Sequence, residues 1–167
     1  MGQIIDTEEL GLLRSRYEGS VIVHCHGVFD LFHHGHLSYL TEAKKYGDLL
    51  VVTITSDDFV NKGPGRPKFN QFKRAEILAA LSIVDYVSIS FSKMAVEAIN
   101  LIKPNYYVKG PDYNDMSKDI TGGIAHELEA CNNCGCKLMI TSGHTESSSE
   151  LINEYLSTLS MEKKKII

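Results

Sequence analysis

Ten residues, Gly27 to His36, carry the densest chemistry in the sequence: Gly-Val-Phe-Asp-Leu-Phe-His-His-Gly-His. Five of the seven histidines, His24, His26, His33, His34 and His36, fall in this run or just before it. His33 and His36 are three residues apart, so on a helical turn they face the same way. Two imidazoles beside unpaired backbone N–H groups can bind phosphate oxygens and offset charge that builds in a transition state. Gly35 between them removes a side chain where a ligand must come close. Asp30 can cap the turn or orient an imidazole. Gly27 suits a tight exit from a strand. A metal site, or a set of core histidines, is the competing reading; a strand before the run and a helix after it favour phosphate.

Other charged and hydroxylated residues fit the same chemistry. Lys62 sits in Asn-Lys-Gly-Pro-Gly-Arg-Pro-Lys-Phe (61–69), a Gly/Pro-flanked loop able to fold over phosphates or simply carry a solvated lysine. Arg74 falls at a helix start, a poor place for a cation unless it serves an anion or a surface ion pair. Ser147, Ser148 and Ser149 offer hydroxyls and N–H groups at a helix N-terminus, for a phosphate or for a plain cap. Lys109 and Asp112 follow a strand end, as ligand contacts or as turn residues. His24 and His26 share one strand face and read as site-lining or packed. Cys131, Cys134 and Cys136 lack a second ligand group at zinc spacing.

These residues need a scaffold. Apolar β-rich runs alternate with amphipathic runs of helix length, which predicts an α/β fold with a parallel sheet. Strands are expected near 20–26, 49–55, 84–90, 105–109 and 137–141. Helices are expected near 7–18, 35–46, 70–81, 93–102, 121–132 and 147–159. Asp6 and Glu9 read as an N-cap and its return partner, with Leu10, Leu13 and Tyr17 on one face. The last helix places Leu151, Ile152, Tyr155, Leu156 and Leu159 on one stripe. At 167 residues the chain suits one domain with a real core. Its net charge of −4 argues against a general nucleic-acid binder. No apolar run approaches the roughly 20 residues of a membrane span. With no signal peptide and four cysteines, the cytoplasm is the expected compartment.

The pattern is specific enough to name a family. Gly27, Phe29, Asp30, His33, Gly35 and His36 reproduce the Gly-x-Phe-Asp-x-x-His-x-Gly-His signature of the cytidylyltransferase-like nucleotidyltransferases. Lys62-Gly63 with Arg66-Pro67, Arg74 leading Ala-Glu-Ile-Leu-Ala-Ala-Leu, Val84-Asp85-Tyr86-Val87, Val108-Lys109-Gly110-Pro111-Asp112-Tyr113 and Ser147-Ser148-Ser149 resemble the heptose-1-phosphate adenylyltransferase branch. The resemblance runs through roughly residues 20–157. It implies a Rossmann-like five-stranded parallel sheet of order 3-2-1-4-5 with flanking helices. It implies an enzyme in which a phosphorylated acceptor attacks the α-phosphorus of a nucleoside triphosphate and pyrophosphate leaves. His33, His36 and Lys62 are then catalytic. Gly27, Val28, Phe29, Asp30, Gly35, Arg74, Lys109, Gly110, Asp112, Ser147, Ser148 and Ser149 bind nucleotide. Mg²⁺ comes with the triphosphate, and no residue is assigned to a resident metal.

The expected partners are a nucleoside triphosphate and a phosphorylated sugar or polyol, with no nucleic acid and no membrane, in a homodimer serving carbohydrate biosynthesis. ATP is favoured, because the Arg-Thr pair of glycerol-phosphate cytidylyltransferases is missing from Thr141-Ser-Gly-His-Thr-Glu146. The alternatives are CTP with an alditol or glycerol phosphate, or a nucleotide-binding regulatory module without turnover. The family includes domains fused to a sugar kinase, and Met161–Ile167 shows no stop chemistry. Residues 1–167 are therefore expected to be a single nucleotidyltransferase domain, the N-terminal part of a larger protein.

Overall fold

The computed structural model describes residues 1–113, 123–142 and 148–165, with Asp112 and 159–165 described in backbone only. Six parallel strands form one sheet: β1 (Gln3–Ile4), β2 (Ile22–Gly27), β3 (Leu49–Thr55), β4 (Tyr86–Ser90), β5 (Tyr106–Lys109) and β6 (Lys137–Ile140). Their order is β1-β4-β3-β2-β5-β6. The five strands β2 to β6 follow the expected 3-2-1-4-5 order. The sixth was not expected. It is a two-residue edge strand, pairing Gln3 with Tyr86 and Ile4 with Val87, and two residues give no alternation to read.

The helices are α1 (Thr7–Arg16), α2 (His34–Lys44), α3 (Gln71–Ala79), α4 (Val96–Ile102), α5 (Gly123–Cys134) and α6 (Ser148–Lys165). Asp6 caps α1 by accepting from Glu9 N at 2.8 Å. Asn70 caps α3 through Lys73 N at 3.0 Å. The central strands β2 and β3 are largely apolar because both of their faces are covered. Val23, Cys25, Leu50, Val52 and Ile54 pack against Leu40 and Ala43 of α2 and Leu78 of α3. The alternate residues face the other way, where Ile22 and Val51 meet Leu10 and Leu13 of α1 and Ile102 of α4. On that same side Tyr107 meets Ile99 of α4 and Cys131 of α5.

Strand alternation also gives the second face a polar seam. His24, His26, Thr53, Thr55 and Lys109 are all buried there. The Thr53 hydroxyl lies 2.8 Å from both His24 Nε2 and His26 Nδ1. His24 thus packs inside the sheet layer, where burial drives it well below the ordinary imidazole range, while His26 also lines a cleft at the strand ends.

Helix α6 departs most from expectation. It runs past 159 to Lys165, and Leu151, Tyr155 and Leu156 are exposed. Its apolar stripe is not absorbed into the core; Leu31, Leu151, Ile152 and Tyr155 line a shallow apolar groove of about 280 Å³.

Candidate active site

The site opens where β2 ends. Phe29 and Leu31 adopt left-handed backbone, φ 52° and 51°. Such conformations cost roughly 1–3 kcal/mol each outside glycine and cluster at functional sites. Gly27 lets the chain pass close under Phe29: a Cβ there would stand 3.1 Å from the Phe29 ring, which would have to shift by a few tenths of an ångström. That ring packs at 5.3 Å from His36 and 6.3 Å from Tyr39.

His33 is the extended residue that precedes α2. The rings of His33 and His36 lie against each other, centroids 3.8 Å apart and planes tilted by 32°, so the predicted facing pair is present. His33 N donates to His36 Nδ1 at 3.4 Å, which leaves the His36 proton on Nε2 as an outward donor. Burial, then His33, then Lys62, push the His36 pKa down to about 3. His36 is therefore a neutral hydrogen-bond donor at the N-terminus of α2.

Asp30 does neither of the things the sequence suggested. It neither caps α2 nor touches an imidazole. Its fully buried carboxylate accepts from Lys68 N at 2.9 Å, Phe69 N at 3.0 Å and Arg66 Nε at 2.6 Å. Burial alone would raise its pKa; the Lys68 and Phe69 N–H groups and the Arg66 guanidinium outweigh that and hold it below the usual value. Asp30 thus anchors the far half of the 61–69 loop. Ser148 Oγ donates to the Asp30 carbonyl at 2.7 Å and ties α6 to the same turn.

Arg74 is likewise placed beneath the site and not in it. Its side chain is fully buried. It donates to Val28 O at 2.6 Å, Phe69 O at 3.0 Å, Thr55 O at 2.8 Å and Asp57 Oδ1 at 2.6 Å. Four donors are spent on three backbone carbonyls and one carboxylate. They join the signature loop, the end of β3 and the 61–69 loop.

A cleft of about 240 Å³ lies beside the signature loop, with Gly27, Val28, Lys62, Lys93, Lys109 and Glu127 among its lining. Lys109 is buried and pairs with Glu127 at 2.9 Å; its Nζ also lies 4.1 Å from the Tyr113 ring centroid. A Cβ on Gly110 would enter open space. Gly35 is the second residue of α2, and Ser149 is exposed in the first turn of α6. Ser147 and the Asp112 side chain lie outside the described residues. Lys93 and Glu127 were missed by sequence reasoning: neither sits in a motif, and Glu127 reaches the cleft only because α5 packs against α4. Cys131, Cys134 and Cys136 are free; among the described residues no cluster of three metal-type ligands occurs.

This geometry makes a prediction for the loop. Gly63 and Gly65 hold φ of 89° and 71° in an exposed stretch, while Lys68 and Phe69 are clamped by Asp30. Nucleotide binding should slow amide exchange at 62–65 and change little at 68–69. Exchange at 62–65 that ignores saturating ATP would remove the loop from phosphate binding.

Fold and site together define an α/β nucleotidyltransferase. The chain belongs to the cytidylyltransferase-like family, whose model matches residues 24–154. It is 47% identical over 114 residues to the bifunctional protein HldE of Aliarcobacter butzleri, covering 66% of this chain and 24% of that one. It is 44% identical over 119 residues to the HldE protein of Syntrophotalea carbinolica, covering 68% and 24%. The chain thus spans about a quarter of the length of these relatives. Among solved structures, a lipopolysaccharide core biosynthesis protein from Thermoplasma volcanium superposes with a TM-score of 0.62 at 27% identity, covering 76% of this chain and all of the other. Pantoate-β-alanine ligase from Francisella tularensis, 16% identical with a TM-score of 0.61 over 89% of this chain and 69% of its own, shares the fold. No helix among the described residues is long and apolar enough to cross a membrane.

Proposed function

We propose that this chain transfers AMP from ATP to a phosphorylated sugar and releases pyrophosphate, giving a nucleotide-activated sugar. The observation that carries the reading is the facing His33/His36 pair at the N-terminus of α2, with a neutral His36 donor. An oxygen of the acceptor phosphate attacks the α-phosphorus, and the bond from that phosphorus to the β-phosphate oxygen breaks. Such transfers depend on positioning and charge stabilisation more than on covalent help from the protein. His33 and His36 donate to the phosphate oxygens, and Lys62 adds positive charge from the loop. Lys62, Lys93 and Lys109 make the cleft lining cationic, which fits phosphate and not a bare metal ion. Mg²⁺ would therefore be held by triphosphate oxygens, its natural hard ligands, and would neutralise charge on the leaving pyrophosphate.

ATP is preferred on the Lys62-Gly63, Arg66-Pro67 and Val108-Lys109-Gly110 pattern and the missing Arg-Thr pair. The likeness to a lipopolysaccharide core biosynthesis protein supports a sugar acceptor. The same reading has the enzyme working in the cytoplasm as a homodimer.

A pyrophosphate-release screen of sugar and polyol phosphates against the four triphosphates tests this. Release with ATP and a sugar phosphate is expected. ATP should lead CTP in kcat/KM with the same acceptor, and a tenfold preference for CTP, about 1.4 kcal/mol in transition-state binding, would reverse the base assignment. Tight ATP binding with no release from any acceptor would instead make the chain a regulatory module.

A further inference from the structure

The inner end of the cleft holds three polar groups to which the reading above gives no role, His26, Thr55 and Glu127, around the cation Lys109. His26, Thr55 and Lys109 reach it from the sheet face covered by α4 and α5, whereas His33 and His36 come from α2 on the opposite layer. His26 Nε2 lies 3.3 Å from the Thr55 hydroxyl, and its Nδ1 is fixed by Thr53. Glu127 is oriented at both oxygens: Oε1 accepts from Ala95 N at 2.9 Å, and Oε2 meets Lys109 Nζ at 2.9 Å. Both members of that ion pair are about nineteen-twentieths buried.

We propose that Glu127 and Thr55, the latter oriented by His26, select the acceptor by reading the hydroxyls of its sugar ring, an inference that rests on the nucleotidyltransferase reading above. A buried ion pair carries a desolvation cost that packing alone does not repay; here it is held at the edge of a cleft. A carboxylate repels a triphosphate but accepts from hydroxyls, while an ammonium donates to them, and the threonine hydroxyl can do either. One sugar diol can bridge Glu127 and Lys109. Lys93, less buried than Lys109, is placed to take the acceptor's phosphate at the outer end, beside the triphosphate-facing Lys62. The cleft is thus divided, with cations outside for phosphate and a carboxylate inside for hydroxyls.

Glu127→Gln and His26→Gln test this by steady-state kinetics with ATP against heptose 1-phosphate, mannose 1-phosphate and glycerol 3-phosphate. Each variant should raise KM for the preferred sugar phosphate about tenfold or more, as a site loses a substrate hydroxyl contact. KM for ATP and for glycerol 3-phosphate should stay within about threefold, a change near measurement scatter on the scale where tenfold is 1.4 kcal/mol. Calorimetry with an α,β-methylene ATP analogue supplies the control for folding. If the analogue fails to bind the wild-type chain, the nucleotidyltransferase reading itself fails. If it binds, the selection role is overturned by any of three results: no sugar phosphate binds the loaded enzyme, sugar and glycerol phosphates lose affinity equally, or ATP affinity falls with acceptor affinity in both variants. Thr55→Val gives the same readout without touching a charge.

Discussion

His36→Ala should lower kcat about 100- to 1,000-fold while leaving the affinity for ATP within a few-fold, the usual signature of removing one donor aimed at transition-state charge. The expectation follows from how the donor is built. His33 N fixes the His36 tautomer at Nδ1. The Phe29 ring at 5.3 Å and the His33 ring at 3.8 Å fix its plane. The imidazole is neutral before substrate arrives, so ground-state ATP gains little from an ion pair there. As the α–β bond breaks, charge moves onto oxygens within reach of a pre-oriented N–H, and no reorganisation is needed at that moment. His33→Ala removes the packing partner as well as a donor and should fall in the same range. Single-turnover rates at saturating ATP, beside calorimetric binding of a non-reacting analogue, separate kcat from affinity. Activity within a few-fold of wild type in both variants would remove the pair from the chemistry.

What could be read in the sequence was local. The signature loop packs its chemistry into ten consecutive residues, and helical spacing alone brings His33 and His36 together. The central strands were legible because strands covered on both faces are rich in apolar and β-branched residues, even where His24, His26, Thr53 and Thr55 interrupt the run. The functions of Asp30, Arg74 and Glu127 were not legible in this way. Asp30 is in the signature, yet its partners are 36 to 39 residues away. Glu127 stands 18 residues from Lys109 in sequence and meets it only through the packing of α5 on α4. A carboxylate in an amphipathic helix looks like a solvated one until the sheet beneath it is known. The α6 stripe shows the converse: the periodicity predicted the helix correctly, but periodicity does not say whether the chain itself covers the apolar face.

Arg74→Met should destabilise the folded domain by about 3–5 kcal/mol, the sum expected when three backbone carbonyls lose their donor; Asp57, 35% exposed, adds little because water can replace the guanidinium. The guanidinium satisfies Val28 O, Phe69 O and Thr55 O and pairs with Asp57. Methionine fills much of the volume but leaves those acceptors without their donors, and each buried unsatisfied group costs about 1–3 kcal/mol. Lysine is no substitute: one ammonium with three donors cannot reproduce four bonds from a planar fork, so Arg74→Lys should recover only part of the loss. For a domain of this size each kcal/mol lowers Tm by about 2–4 °C, so Arg74→Met should melt roughly 6–20 °C below wild type. Urea unfolding of both variants reads the stability directly, and ATP affinity below the transition reads the site. The two measurements discriminate between the places Arg74 could act. A guanidinium that faces the triphosphate would lose ATP affinity on substitution with stability nearly unchanged. One that holds Val28 and Thr55 in position loses stability first, and binding only as the signature loop loosens. Wild-type stability in Arg74→Met, with ATP binding abolished, would return Arg74 to direct nucleotide contact and displace the scaffold role that its four hydrogen bonds assign.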